Sequence, residues 1–244
     1  MNYTKAFLEA LKKQDELNTH INQNWKFMNF PQHRAMWTEA AEMAESYHWY
    51  WWKDLTKEPD FENIKIEIVD IFHFLLSQYI QVFKNPNEIA NYFNSRIHHL
   101  EKYEKEAKEI QKLTIQVQKE KILYVVDEFV SKVADRTKPV SIILFYKLMA
   151  YGNLTIDELF KKYFGKCVLN KFRQDNGYKV AKYSLSNYKN DGYLKEWEQG
   201  VEDNVFMLEF IKDLNIKNVN DFMKILTDRL DEKYQITIKQ IILS

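Results

Sequence analysis

No glycine precedes Gly152, and only five occur in 244 residues. Glycine supplies the left-handed backbone that tight turns and hairpins need. A chain that avoids it over most of its length is driven toward helices joined by short links. Pro31, Pro59, Pro86 and Pro139 stand far apart and cannot continue a helix, so they act as separators. Between them lie mostly Lys, Glu, Gln, Ala, Leu and Ile, which favour or tolerate helix. These signals predict helices at about 3–20, 32–56, 60–83, 87–112, 115–136, 139–151, 155–172, 203–214 and 218–232. Phe7, Leu8, Leu11 and Leu17 fall on one helical stripe, and Ile64, Ile68, Ile71, Phe72 and Leu75 on another. Strict polar/apolar alternation is almost absent, so the expected fold class is all-α, arranged as one domain over 1–244.

Composition narrows the function. Thirty-five basic residues balance 35 acidic ones, which gives no net attraction to nucleic acid or to an anionic membrane. A single cysteine, Cys167, allows no internal disulfide, and a reducing setting follows. The N-terminus reaches acidic residues before any apolar run, unlike a signal peptide, and no stretch approaches the roughly 18 apolar residues of a membrane span. A cytoplasmic protein is expected. Two regions differ in texture. Residues 98–124 are dense in charge, with Leu100, Tyr103, Ala107, Ile110, Thr114 and Val117 at alternating spacings of three and four, as on an amphipathic outer helix or a short coiled-coil seam. Residues 173–204 gather three glycines among Asn, Tyr, Lys and Asp, the texture of a mobile functional loop.

The chemistry-bearing feature is a pair of acidic motifs, Glu39-Ala-Ala-Glu42 and Glu67-Ile-Val-Asp70. Residues three apart share a helix face, so each motif makes a two-carboxylate claw, and a short link around Pro59 turns the two helices into antiparallel neighbours. Isolated acidic pairs usually form a solvated face. Here Asp70 sits within Ile68-Val69-Asp70-Ile71-Phe72 and Glu42 between Ala40-Ala41 and Met43-Ala44, settings that imply packing. Four carboxylates without a neighbouring Lys or Arg in the same turns repel each other unless a cation joins them. Carboxylate oxygens without cysteine suit a hard ion, Mg²⁺ or Mn²⁺. His73 reads either as a packed core histidine or as the Asp-x-x-His of a di-iron site, which normally needs a second such motif.

The run Tyr47-His48-Trp49-Tyr50-Trp51-Trp52-Lys53 follows the first claw and reads as packing, a dimer surface, or a plate for a nucleobase. Lys166, Asn170 and Arg173 recur at i, i+4 and i+7, followed by Gln174-Asp175-Asn176-Gly177-Tyr178-Lys179, Tyr193-Leu-Lys195-Glu-Trp197 and Glu202-Asp203-Asn204. That segment is either a polar surface or a phosphate clamp. A metal cage, an aromatic plate and a basic clamp together point to a nucleoside polyphosphate.

Glu39-x-x-Glu42, Glu67-Ile-Val-Asp70-Ile-x-His73-Phe, Asn170-x-Phe-Arg173-Gln-x-Asn-Gly177-Tyr178-Lys179 and Glu202-Asp-Asn204 resemble the dimeric all-α dUTPases of the MazG-like pyrophosphohydrolase superfamily. The carboxylate motifs indicate the superfamily; the Asn-Gly-Tyr-Lys string and the Glu-Asp-Asn indicate the dUTPase branch. Gln14-Asp-Glu-Leu17-Asn18 and Asn24-Trp25 fit as well, and the likeness spans about 8–83 and 155–212. The resemblance implies a homodimer with a MazG-like helical core that hydrolyses dUTP, and dUDP, to dUMP with Mg²⁺. By position, it implies that Glu39, Glu42, Glu67 and Asp70 hold metal, Glu39 or Glu42 polarising the attacking water. Lys166, Asn170, Arg173, Lys179, Lys195 and Asn204 then hold phosphates and sugar. Gln14, Asn18, His73 and Trp51, or Trp49 in its stead, surround the uracil. Two segments depart from the pattern. Val180 to Gly192 lengthens a link that is short in relatives, leaving Lys179 and Lys182 as alternatives. Residues 84–154 carry none of these motifs and are expected as a variable helical insertion, a candidate surface for a protein partner in a phage-borne chain. The competing readings are a MazG-like enzyme for another triphosphate such as dCTP, and a non-enzymatic helical interaction protein.

Overall fold

The computed structural model describes residues 3–54, 56–136, 138–180, 182 and 192–243. Two compact units are present, 1–160 and 161–244. The first holds α1 (Tyr3–Ile21), α2 (Gln32–Ser46), α3 (Phe61–Val82), α4 (Pro86–Ser95), α5 (His98–Ile110), α6 (Ile115–Ala134), α7 (Ile142–Tyr151) and the start of α8 (Ile156–Asp175). The second holds the rest of α8, a small antiparallel ribbon of β1 (Glu196–Glu198) and β2 (Val201–Glu202), α9 (Asp203–Phe210) and α10 (Val219–Leu243). The all-α class expected from the sequence describes the molecule apart from that ribbon, which replaces part of a stretch read as loop. Among the described residues, no helix is long and apolar enough to cross a membrane.

In the first unit the α2–α3 hairpin carries the carboxylates. Asp60 caps α3 by accepting the Asn63 amide at 3.0 Å, and its own amide bonds the Ser46 carbonyl at 2.9 Å. Those bonds tie the end of α2 to the start of α3 and fix the antiparallel register. One face of α3 then enters an aromatic core. Phe72 stacks on Phe145 at 5.2 Å, while Phe7 meets Phe93 at 5.5 Å and Phe160 at 5.0 Å, edge to face. All five rings are fully buried, so truncating Phe72 to Ala costs about 3–5 kcal/mol.

Three helix boundaries differ from the sequence expectation. The helix expected over 32–56 ends at Ser46, and His48 turns left-handed at φ 51°. Crowded aromatic residues are indifferent helix formers, and Tyr50 bends back so that its hydroxyl bonds Glu45 at 2.5 Å. The helix expected over 87–112 breaks between Ser95 and His98, where the Ser95 hydroxyl bonds the Tyr92 carbonyl at 2.8 Å and competes with the backbone ladder. The 98–124 stripe is likewise interrupted between α5 and α6, which excludes a continuous coiled-coil seam. The last helix runs on to Leu243, well past 232.

In the second unit Phe172, Tyr193, Trp197 and Tyr234 pack together, with Tyr193 and Tyr234 stacked at 5.3 Å. Gly177 and Gly192 have φ of +84° and +80° and face each other across a narrow neck. A Cβ on Gly192 would stand 2.3 Å from the Val180 carbonyl oxygen, so only glycine fits there. The neck is laced by Tyr193 N–H to Gly177 O at 3.2 Å and Lys182 N–H to Tyr193 O at 2.6 Å. Most of the lengthened link expected between 180 and 192 lies outside the described residues.

Candidate active site

Glu39 of α2 meets Glu67 and Asp70 of α3, with one carboxylate oxygen from each residue within 4.8 Å of the others. Helical spacing alone brings Glu67 and Asp70 together; the hairpin register adds Glu39. Glu67 is 6% exposed, whereas Glu39 and Asp70 are half-buried and open toward solvent. Burial first, then the charges of Asp70 and Glu39, the Glu39 hydrogen bond and the charge of Glu42, push the Glu67 carboxyl from 4.5 up to about 9. Without a cation the cluster therefore holds a proton. Three hard oxygen donors converging on one point, with the like charges of Asp70 and Glu39 acting on Glu67, fit a divalent metal ion. Asn63, one turn before Glu67, donates to its Oε1 at 2.9 Å and to the Ser46 hydroxyl at 2.9 Å, so it orients the carboxylate from the hairpin's own tie.

Glu42 stands apart from the other three. The sequence placed it in a packed setting, yet it is exposed, because successive helix positions turn by about 100° and its neighbours Ala40 and Met43 take the buried face. It lies on the wall of a cavity of about 810 Å³ shared with Ser46, His48, Tyr50, Lys53, Lys57 and Asn63. Its charge still reaches Glu67.

On the same face of α3, one turn beyond Asp70, His73 belongs to a buried polar chain. Its Nδ1 lies 2.8 Å from Gln14 Oε1; Gln14 donates to Asn18 Oδ1 at 3.0 Å, and Asn18 to the Ser77 hydroxyl at 2.8 Å. Three residues that the resemblance assigned to uracil therefore form one connected set in the first unit. Trp49 and Trp51 lie in the irregular link after α2. Trp51 is 76% exposed and packs on Trp52 at 5.5 Å, while Trp49 meets Tyr50 at 4.5 Å. Among the described residues, Tyr50 is the phenolic ring on the cavity wall.

The basic residues of the second unit form a separate network. Arg173 donates from Nε and Nη2 to both oxygens of Asp203 at 2.8 and 2.7 Å, and the Tyr193 hydroxyl adds a third bond to Asp203 at 2.7 Å. Burial pulls the Arg173 pKa down, but the bonds to Asp203 and its charge win and hold the guanidinium protonated. Asn170 accepts from Arg173 at 3.2 Å, and Asn204 accepts from Lys166 at 3.3 Å and from Arg173 at 3.4 Å. Lys195 pairs with Glu202 at 3.5 Å. Lys179 is exposed in a short 3₁₀ turn. Sequence reasoning missed Asp203 as the partner of Arg173 and Asn63 as the orienter of Glu67. Asn63 had a signal, its position four residues before Glu67 on one helical face; Asp203 had only its place between two recognised residues.

A mostly helical protein with a carboxylate cluster of this kind is a candidate metal-dependent hydrolase. A family model described as dUTPase matches residues 7–178, which takes in the whole α2–α3 hairpin and runs through Lys166, Asn170 and Arg173 to Tyr178. The chain belongs to that family and is a dUTP diphosphatase by membership. No curated protein matches it.

Proposed function

We propose that the chain hydrolyses dUTP to dUMP and pyrophosphate, and accepts dUDP, at a Mg²⁺ site held by Glu39, Glu67 and Asp70 with Glu42 beside them. The observation that carries this reading is the convergence of Glu39, Glu67 and Asp70 within 4.8 Å in a chain of the dUTPase family. When bound, the ion neutralises phosphate charge and makes water a better nucleophile. The exposure of Glu42 on the cavity wall supports a role as acceptor of the water proton, with Glu39 as the alternative. Gln14, held by His73 and Asn18, has the amide chemistry that reads a uracil edge, and a site built to hydrogen-bond rejects bases that leave its groups unpaired. Trp49 or Trp51 supplies a stacking ring. Lys166, Asn170, Arg173, Lys179, Lys195 and Asn204 bind phosphates and sugar, with Asp203 setting the guanidinium's orientation. A homodimer is the expected assembly.

The deciding experiment is pyrophosphate release from dUTP, dCTP, dTTP and UTP with Mg²⁺, beside Glu42→Gln protein and an EDTA control. Release from dUTP alone, lost in the variant and in EDTA, is the expected outcome. Release from dCTP instead would keep the metal site and overturn the uracil pocket.

A further inference from the structure

The segment 84–154 carries no recognised motif, yet one of its side chains reaches the link that follows α2. Lys119, on α6, is 3% exposed, and its Nζ donates to the Lys57 carbonyl at 2.7 Å. An ammonium is buried only where oxygens receive it, because desolvating it without partners costs several kcal/mol. A methionine or leucine would fill the same volume without that demand, so a lysine here reads as a tie. The helix that carries it packs on α2, the helix of Glu39 and Glu42.

What Lys119 ties is the irregular stretch between Tyr47 and Asp60. Its described residues form no helix or strand, and its base is held where the Asp60 amide meets Ser46. It contributes His48, Tyr50, Lys53, Asp54 and Lys57 to the cavity whose other wall holds Glu42 and Asn63. The ammonium's charge is felt there. Burial, then Lys57 and Lys119, lower the His48 pKa, and Lys119 contributes to lowering Asp54 after its hydrogen bonds from Thr56.

We propose that Lys119 is a positioning residue that fixes this stretch as the wall of the cavity beside Glu42, so that α6 forms part of the substrate-binding apparatus. The inference deepens the dUTPase reading and rests on it for its kinetic consequence. On the dUTPase reading the stretch offers Trp49 or Trp51 to the base, while the metal-holding carboxylates stay on α2 and α3, so loosening it should remove binding rather than chemistry.

The test compares wild-type protein with Lys119→Met and Lys119→Arg. Lys119→Met should raise KM for dUTP by about tenfold with kcat within about twofold, and Lys119→Arg, which keeps donors, should recover most of the loss. Hydrogen exchange read by mass spectrometry should speed up over 47–60 in Lys119→Met while α3 keeps its protection. Unchanged KM with unchanged exchange over 47–60 would overturn the proposal, as would a fall in kcat alone. If Lys119→Met does not fold, Lys119→Gln is read in its place against the same criteria. Wild-type protein that releases nothing from dUTP would defeat the dUTPase reading, and the exchange measurement would still decide whether Lys119 holds the wall.

Discussion

The two charged clusters of this molecule are built on opposite principles. Around Glu67, three carboxylates face each other and the structure lowers the strain by keeping a proton. Around Asp203, a buried carboxylate is met by a bidentate guanidinium and a phenol, leaving it fully matched. The first arrangement is unfinished without a cation; the second is complete within the chain. An unbalanced cluster is where a ligand adds free energy, while a balanced one gives a fixed geometry from which neighbouring groups such as Lys166 and Asn204 act.

The largest expected effect breaks the balanced side. Arg173→Met leaves Asp203, 0% exposed, without its cation and should lower unfolding stability by about 3–5 kcal/mol, read as a shift of the urea midpoint at constant slope. Loss of activity without loss of stability would mean that the Asp203 pair is not the buried unit described. On the other side, Glu67→Gln should behave in reverse. Hydrolysis of dUTP with Mg²⁺ should fall by about 10²–10³-fold, while the melting temperature in EDTA at neutral pH rises because an amide needs no proton to be buried there. A variant that loses both activity and EDTA-stability would show that Glu67 is a structural group. Next in size, Asn63→Ala frees the Glu67 carboxylate to rotate and should weaken Mg²⁺-dependent activity by about 10–100-fold, recovered in part by raising the Mg²⁺ concentration. A further effect is on pH. In EDTA the Glu67 proton stabilises the fold below its unfolded value of 4.5, and that stability should drain away as the pH rises toward about 9. Mg²⁺ should flatten the slope, whereas Glu67→Gln should remove this contribution to it outright. Thermal melts from pH 5 to pH 9 with and without the ion would show whether the slope belongs to this cluster.

Much of the first cluster was readable from spacing, because i, i+3 positions share a helix face whatever the tertiary structure does. Glu39, Glu67 and Asp70 needed only that rule and a short hairpin link. The packed setting expected for Glu42 failed for a related reason: flanking Ala and Met residues describe the helix, not the direction in which one position points. The second cluster was half legible. Arg173 and Asn204 were marked by their motifs, but the Asp203 contact joins residues 30 apart, and nothing local announces such a pairing. The Lys119 tie spans 62 positions and lay in a region that offered no motif at all. The break at Ser46 depended on a left-handed histidine and a tyrosine folding back, and neither leaves a mark in periodicity.

The glycine neck at 177 and 192 ties two points of the chain by their own backbone bonds, so the entropy of closing whatever length lies between them grows only slowly, by about 0.6 kcal/mol for each doubling. Such a neck is a natural graft point. A reporter tag inserted between 183 and 190 should leave the Tyr193–Asp203–Arg173 contacts intact, provided both glycines stay.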